Sequence, residues 1–245
     1  MSDLPPDLLA RLRAARQVTA LTGAGVSAES GVPTFRDAQT GLWAQYQPED
    51  LATTSAFRRD PELVWNWYAW RRDLVRRAEP NPGHRALAQL EKALPGFTLI
   101  TQNVDGLHQR AGSRTVIELH GSLERVKCFD CGAPAPAWPE AGPVPPRCGR
   151  CGGRLRPDVV WFGEALPPAA LSAAWAAAQH CQVFLCIGTS GLVEPAASLP
   201  GEARRHGAAL VEINPQPTPL SALADFVLRA PAGAALPKLT AFLAE

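Results

Sequence analysis

The sequence carries almost no net charge, and this absence argues against two classes of partner. Its 24 basic and 23 acidic residues leave a formal charge of +1 over 245 residues. A chain without an excess of charge has no general electrostatic attraction for nucleic acid or for an anionic membrane surface. We therefore expect neither nucleic acid nor a membrane among the binding partners.

Long apolar runs are missing as well. No stretch reaches the roughly 18 apolar residues that a membrane-spanning helix requires. Residues 1–16 have the pattern of a short amphipathic helix and lack the continuous apolar centre of a signal peptide. Hydrophobic residues nevertheless make up 46% of the chain, enough for one large domain with insertions or two modest ones. We expect a cytoplasmic globular protein.

Cysteine is scarce, and nothing in its distribution calls for an oxidising compartment. Four of the six cysteines form two C-x-x-C pairs separated by sixteen residues, namely Cys128, Cys131, Cys148 and Cys151. Pairs at this separation predict one zinc ion bound by four thiolates. Because four thiolates leave no open position for water, the predicted zinc is structural. A redox function of the pairs remains an alternative.

A zinc ribbon that binds nucleic acid is a further alternative, since four arginines lie near these cysteines: Arg147, Arg150, Arg154 and Arg156. The segment between the cysteine pairs is rich in proline, and residues 132–146 include no basic residue. We therefore interpret the four arginines as a solvated rim.

A glycine-rich turn follows the first predicted strand. The apolar residues 18–21 lead into Gly23, Ala24 and Gly25, and a helical pattern starts near Ser27. Strand, glycine turn and helix in this order form the geometry that receives the pyrophosphate of a dinucleotide. Gly23 would make the tight turn, Gly25 would admit the phosphates, and Ala28 would permit close packing of the helix on the strand. Free amides of the first helical turn would face the anion.

The chain then departs from a plain dinucleotide-binding fold, in which a second strand ends in an acidic residue about 20 residues on. Here Pro33 ends the helix, and no strand pattern follows. Phe35 and Arg36 are instead placed beside the phosphate loop. This arrangement favours a loop folding over the cofactor, while an NAD-dependent dehydrogenase would need the missing acid.

Polar or small residues follow four further predicted strands. The strands span residues 97–101, 115–119, 183–187 and 209–213, and a short one spans 226–228. The residues that follow the first four are Gln102, Asn103 and Asp105, then His120, then Gly188, Thr189 and Ser190, and finally Asn214. Open parallel sheets bind ligands outside these strand ends. A histidine there suits proton transfer near pH 7, although turn chemistry and a structural histidine remain alternatives.

Residues 61–78 predict a helix with one unusual face. Asp60 is a candidate N-cap before Pro61. Tyr68 and Arg71 share a face with apolar residues, because these positions recur at spacings of three and four. The arginine could reach solvent or pair with a carboxylate of the core. Alternatively, it ends a pocket for an acidic ligand, with Tyr68 as a second donor.

Four segments in order resemble the sirtuins, which are NAD-dependent protein lysine deacylases. They read GAGVSAESGVPTFRD at residues 23–37, TQNVD at 101–105, ELHGS at 118–122 and GTS at 188–190. The resemblance implies an α/β fold, with a Rossmann-like parallel sheet in a large domain and a smaller zinc-binding and helical domain. The implied limits are 1–40, 81–123 and 158–245 for the NAD-binding domain, 41–80 for a helical insertion and 124–157 for a zinc module.

The resemblance also implies the chemistry. NAD is consumed while acylated-lysine proteins or peptides lose their acyl group, and nicotinamide and acyl-ADP-ribose are released. His120 would be the general base, Asp105 would bind the nicotinamide amide, and Gln102 and Asn103 would contact ribose and ordered water. The residues implied for the rest of NAD are Gly23, Ala24, Gly25, Ala28, Phe35, Arg36, Gly188, Thr189, Ser190, Asn214 at the adenine ribose, and Ala232 through its main chain.

The acyl group and the peptide have implied contacts too. The Tyr-x-x-Arg pair, Tyr68 and Arg71, resembles that of sirtuins which remove succinyl and malonyl groups, where it binds the acyl carboxylate. Residues 155–164 would re-enter the large domain and clamp the peptide at an exposed strand edge, with Val160 and Phe162 lining the acyl-lysine tunnel. A mono-ADP-ribosyltransferase and a non-catalytic NAD sensor remain alternatives for the same site.

Overall fold

Two sheets organise the chain in a computed structural model that describes residues 4–33, 46–139 and 142–243. The helices in these ranges are α1 (Pro6–Ala14), α2 (Gly25–Ala28), α3 (Pro48–Leu51), α4 (Thr54–Arg59), α5 (Pro61–Arg77), α6 (Pro82–Ala93), α7 (Leu107–Arg110), α8 (Pro168–His180), α9 (Leu199–Arg205) and α10 (Ala232–Leu243). The strands are β1 (Val18–Thr22), β2 (Phe97–Thr101), β3 (Val116–Glu118), β4 (Gly121–Cys128), β5 (Pro134–Ala135), β6 (Leu155–Val159), β7 (Val183–Ile187), β8 (Ala209–Ile213) and β9 (Phe226–Leu228).

The larger sheet contains six of the described strands, all parallel, in the order β3-β2-β1-β7-β8-β9. Its central strands β1, β7 and β8 are buried along their whole length, as strands covered by helices on both faces must be. Thr22, the last residue of β1, pairs with Thr101 of β2 and Ile187 of β7. The loops that follow these strands therefore leave the sheet side by side.

Helices cover both faces of this sheet. On one face α1, α6 and α10 pack through leucines such as Leu12, Leu90 and Leu236. On the other face α8 and α9 pack through small or branched residues such as Ala174, Ala178 and Leu199. These helices bury both sides of the strands, so the exposed parts of the sheet that can bind a ligand are its ends.

A second lobe surrounds the smaller sheet. Among the described residues, β5, β4 and β6 form a three-stranded antiparallel sheet in that order. It shares a core with α4 and α5, in which Phe57, Trp67 and Trp161 are almost fully buried. Helix α5 begins as predicted, because the Asp60 carboxylate accepts a hydrogen bond from the amide of Leu63 at 3.0 Å.

The two-lobed α/β fold predicted from the sequence is confirmed, with one difference of detail. We expected residues 155–164 to rejoin the large domain. Instead β6 pairs with β4 in the smaller sheet, from Leu155 opposite Cys128 to Val159 opposite Gly121. The small sheet therefore reaches the residue next to His120. In the ranges described, every helix is too short or too polar to span a bilayer.

Candidate active site at the end of the parallel sheet

Three glycines lock the loops after β1 and β7 together. The amide of Gly25 donates to the carbonyl oxygen of Gly188 at 2.9 Å. A Cβ on Gly23 or on Gly25 would stand 2.8 Å from that oxygen, closer than real side chains approach. Gly188 itself has a φ of 58°, a conformation that favours glycine. The glycine pattern that suggested phosphate binding therefore also has a packing reason.

The first turn of α2 differs from our expectation of free amides. The helix is a single turn, and its amides are engaged: Gly25 donates to Gly188, Val26 to Gly23 at 3.1 Å and Ser27 to Ala24 at 3.0 Å. Carbonyls of the turn itself satisfy two of these donors, and Gly188 of the neighbouring loop satisfies the third. The nucleotide contacts of Gly23, Ala24, Gly25 and Ala28 stay predictions. Phe35 and Arg36 lie outside the described residues.

His120 lies half-buried just after β3, at the same end of the sheet. Its Nδ1 is 2.9 Å from the carbonyl oxygen of Gln102. Because a carbonyl oxygen only accepts, Nδ1 carries the ring proton and Nε2 keeps a lone pair. Burial lowers the pKa of His120 below its ordinary value, although the hydrogen bond to Gln102 acts in the other direction. The ring is therefore neutral at pH 7 and can accept a proton on Nε2.

Asp105 and Asn103 follow β2 and converge on Ser27 of α2. Ser27 Oγ donates to Asp105 Oδ2 at 2.7 Å, and Asn103 Nδ2 donates to Ser27 Oγ at 3.1 Å. Asn103 Nδ2 also donates to the carbonyl oxygen of Gly23 at 3.1 Å. Burial raises the pKa of Asp105. The predicted nicotinamide residues are thus fastened to the glycine loop through a serine.

Two buried histidines lie beneath this group. His84 Nδ1 accepts from the amide of Asn81 at 3.3 Å, so its Nε2 carries the proton toward Ser27 Oγ, 3.4 Å away. His108 Nε2 lies 2.9 Å from Thr22 Oγ1. The centroids of the His84 and His108 rings are 4.9 Å apart. Burial lowers the pKa of His84 to about 4 and that of His108 to about 3. Both rings are neutral at pH 7.

Our reading of the sequence missed Ser27 as the centre of this network. Ser27 is 1% exposed and contacts residues 57 to 78 positions away. A buried hydroxyl in a glycine motif was the available signal, because such a group needs partners. The sequence does not show which partners those are. His84 also lies in the capping box of α6.

The loops after β7 and β8 form the other half of the site. Gln102 Nε2 donates to Thr189 Oγ1 at 2.8 Å, and Asn214 Nδ2 donates to the carbonyl oxygen of Thr189 at 3.1 Å. Thr189 is buried, while Ser190 next to it is half-buried. Ala232 is buried at the start of α10, where Gly83 of α6 faces it.

Tyr68 and Arg71 lie on the face of α5 that packs toward the core of the second lobe. The Tyr68 ring is 4.6 Å from that of Trp67 and 6.3 Å from that of Trp161, centroid to centroid. The guanidinium carbon of Arg71 is 5.1 Å from the Trp67 ring centroid. Burial raises the pKa of Tyr68 and lowers that of Arg71. The phenol therefore keeps its proton and remains a hydrogen-bond donor.

The segment after β6 lies between Tyr68 and His120. The amide of Val160 donates to the carbonyl oxygen of His120 at 2.9 Å, so Val160 lies beside the candidate base. Phe162 is 47% exposed, whereas Trp161 between them is 1% exposed. Exposed and buried residues therefore alternate here, which leaves Phe162 accessible to a ligand.

Arg156 contradicts its assignment to a solvated rim. It is 3% exposed, and its guanidinium carbon lies 3.2 Å from the centroid of the Trp161 ring. Glu164 pairs with it at 2.5 Å, from Nη1 to Oε1. A buried guanidinium is tolerated because the carboxylate and the aromatic face compensate for lost hydration.

The four predicted zinc ligands are brought together in the second lobe. The Sγ atoms of Cys128, Cys131, Cys148 and Cys151 all lie within 4.8 Å of one another. Backbone amides point at the sulfurs, for example from Arg150 to Cys148 Sγ at 3.4 Å and from Gly153 to Cys151 Sγ at 3.4 Å. Four thiols at this spacing fit a tetrahedral zinc ion, and the set offers no position for a catalytic water.

This combination defines a class: α/β dinucleotide-binding proteins with a glycine loop and a neutral histidine at the sheet end, and a four-cysteine lobe beside them. Residues 23–195 match the Sir2 family. An NAD-dependent protein deacylase of Aquifex aeolicus is 51% identical over 229 residues, which are 93% of this chain and 95% of that protein. NAD-dependent protein deacylase 1 of Pseudomonas aeruginosa is 54% identical over 236 residues, 93% of this chain and 94% of its own.

Solved structures agree with these relatives. A Sir2 homologue in complex with NAD is 48% identical and superimposes with a TM-score of 0.93, covering 99% of this chain and 95% of its own. A complex of Sir2 with a p53 peptide and NAD+ is 32% identical with a TM-score of 0.85, covering 96% of this chain and 97% of its own. The chain belongs to the Sir2 family, the sirtuins, and the predicted family is confirmed.

Proposed function

We propose that the protein is an NAD-dependent protein lysine deacylase that consumes NAD as a substrate. One observation carries the proposal: a neutral His120, with its lone pair on Nε2, lies at the same sheet end as the glycine loop and Asp105. A base in this place can act on a nucleotide bound across the strand ends. The deacylase relatives at 51% and 54% identity support the assignment.

The described residues fit NAD at both ends. Near His120, the Asn103 amide and the Asp105 carboxyl are held at fixed positions by Ser27, which suits recognition of the nicotinamide amide. Near β8, the Asn214 side chain uses one N–H toward Thr189, so a second N–H of the amide is available to a ribose hydroxyl. Between them, the phosphates would lie at the junction of the loops after β1 and β7, which Gly23, Gly25 and Gly188 hold closely together.

The residues of the chain then divide the chemistry among them. When bound, NAD would release nicotinamide and supply the ADP-ribosyl group that accepts the acyl group. The acyl oxygen would displace nicotinamide from the ribose, at the end that Asn103 and Asp105 orient. His120 would take a proton on Nε2 from a ribose hydroxyl, that oxygen would bond to the acyl carbon, and water would complete the release of the lysine nitrogen from this carbon as the free amine. The Gln102 carbonyl stabilises the resulting imidazolium, because it accepts from Nδ1.

For the acyl group we propose succinyl and malonyl, with acetyl as a further substrate. Burial lowers the pKa of Arg71, and an acyl carboxylate beside its guanidinium would favour the charged form. Tyr68 offers a protonated hydroxyl one turn away on the same helix face. An acetyl group has no carboxylate to contact the Arg71 guanidinium or the Tyr68 hydroxyl, so this pair would favour acidic acyl groups.

A nicotinamide-release assay with one peptide bearing acetyl-, malonyl- or succinyl-lysine tests the proposal. The unaltered protein should release nicotinamide and the matching acyl-ADP-ribose, whereas His120→Ala should abolish turnover and keep its circular dichroism spectrum. Formation of reduced nicotinamide would indicate a dehydrogenase, and a mass increase of the target protein would indicate an ADP-ribosyltransferase. Cofactor binding without nicotinamide release would indicate a sensor. Each of these three results contradicts the proposal.

A further inference from the structure

One buried carboxylate, that of Glu212, accepts hydrogen bonds from the loop between β8 and β9. Glu212 is 1% exposed near the end of β8. Its carboxylate accepts hydrogen bonds from the hydroxyls of Thr218 and Ser221, the latter at 2.6 Å from Oγ to Oε2. Arg229, just after β9, also donates from Nη1 to Glu212 Oε2 at 2.7 Å. The charge of Glu212 is thus fully compensated by groups of the connecting loop and of the strand end beyond it.

The Arg229 side chain also contacts the backbone of the loop between β8 and β9. Its Nη1 is 3.3 Å from the carbonyl oxygen of Gln216 and 3.5 Å from that of Asn214, and its Nη2 is 2.6 Å from Ser221 Oγ. A guanidinium presents its donors in a rigid plane, so one arginine can fix several acceptors at once. The loop is therefore tied at both ends to the same ion pair.

This ion pair needs a reason other than stability. Glu212 is buried, whereas the Arg229 side chain is 36% exposed, and an ion pair with an exposed partner contributes little to stability. What the pair does provide here is a fixed backbone at Asn214. The amide of Asn214 donates to Leu228 at 3.1 Å, its side chain donates to Thr189, and its carbonyl oxygen faces Arg229.

We propose that Arg229, paired with Glu212, is a positioning residue for nucleotide binding, which holds Asn214 where it meets the ribose of the adenosine half of NAD. The inference rests on the proposed function, because Asn214 has a ligand only if NAD binds. Arg229 acts on the nucleotide through Asn214. Its loss should weaken binding of the ADP-ribose portion, while the chemistry at His120 continues at its normal rate once NAD is bound.

The test compares Arg229→Met with the control variant Arg204→Met. Arg204 donates to the carbonyl oxygen of Leu223 at 2.7 Å, at the far end of the same connection, and within the described ranges it hydrogen-bonds neither Glu212 nor Asn214. For Arg229→Met we expect about a tenfold rise in the KM for NAD and in the Kd of ADP-ribose, the loss of roughly one charge-assisted hydrogen bond. The kcat, the KM for peptide and inhibition by nicotinamide should stay within about twofold, and the control should resemble the unaltered protein.

A double-variant cycle separates positioning from general stability. If Arg229 acts through Asn214, Arg229→Met should weaken ADP-ribose binding by less than about twofold in an Asn214→Ala background. Equal losses in both backgrounds, or a rise in the KM for peptide as large as that for NAD, would overturn the inference. Should Arg229→Met fail to fold, Ser221→Ala removes one partner from Arg229 and from Glu212 and should give a smaller change of the same kind.

The same experiment keeps the two proposals apart. Absence of nicotinamide release by the unaltered protein refutes the proposed function before any variant is compared. Nicotinamide release by the unaltered protein, with ADP-ribose binding unchanged in Asn214→Ala, retains the deacylase and refutes only the inference about Arg229.

Discussion

Replacing Arg71 by methionine tests the acyl specificity most directly. Methionine keeps much of the apolar stem and removes the guanidinium, so contact with the Trp67 ring is partly preserved. The change leaves Tyr68, whose burial raises its pKa and keeps its hydroxyl protonated. The variant therefore lacks a positive charge beside the acyl group while the aromatic walls stay in place.

The size of the effect follows from the kind of contact that is lost. A hydrogen bond to a charged group contributes roughly 1.5–3 kcal/mol, which corresponds to about a 10- to 150-fold change in kcat/KM. We expect Arg71→Met to lower kcat/KM for a succinyl-lysine peptide by a factor in this range. For the matching acetyl-lysine peptide the change should be under about threefold, because that acyl group has no carboxylate for Arg71 to contact.

The assay measures nicotinamide release on both peptides with the unaltered protein, Arg71→Met and Arg76→Met. Arg76 lies on the same helix and forms an exposed ion pair with Glu124 at 3.0 Å, so its removal takes the same charge from α5 outside the proposed acyl site. Exposed pairs contribute at most about 1 kcal/mol to stability. Equal losses on the two peptides in Arg71→Met would refute the carboxylate contact, as would an acyl-selective loss in Arg76→Met.

Four further predictions concern pH, the glycine loop and the metal. Because burial lowers the pKa of His120, the acid limb of kcat/KM should lie below pH 6.5 in a pH–rate profile. The pKa values of His84 and His108 lie below 6.5, so the unfolded chain binds protons first as the pH falls. In urea titrations the free energy of unfolding should therefore fall between pH 6.5 and 4, by up to roughly 1.4 kcal/mol per unit for each histidine. A methyl group 2.8 Å from Gly188 should make Gly25→Ala less stable by about 1–3 kcal/mol in the same titrations. Cys148→Ser should lower both bound zinc, measured by atomic absorption, and the thermal midpoint.

The large sheet was predictable because its strands are short apolar runs that end in glycine or polar residues. β2, β7, β8 and β9 match the predicted limits, and β1 extends one residue further. Only β3 is shorter than predicted, because only Val116–Glu118 pair with β2. In a parallel sheet the ends of such strands meet at one edge, so the location of the site followed from the strands alone.

The smaller sheet was not predictable in the same way. β4 and β6 do not alternate cleanly between apolar and polar residues, and their pairing spans the cysteine segment. Pairing between such distant segments depends on the tertiary core. The same holds for side-chain networks: Ser27 with Asp105 and Glu212 with Arg229 each form across folded loops. Sequence patterns identify which groups need partners, but the fold decides which partners they obtain.

The crossing between the two lobes brings the candidate base next to the segment that is predicted to line the acyl tunnel. His120 ends the large-sheet segment, and Gly121 begins β4 with a φ of 79°. A side chain on Gly121 would collide with the carbonyl oxygen of Asp158, so the two small-sheet strands touch closely at this point. The carbonyl of His120 also accepts from the amide of Val160. The backbone that carries the candidate base is thus bonded to the predicted tunnel segment, and displacement of either lobe would move both together.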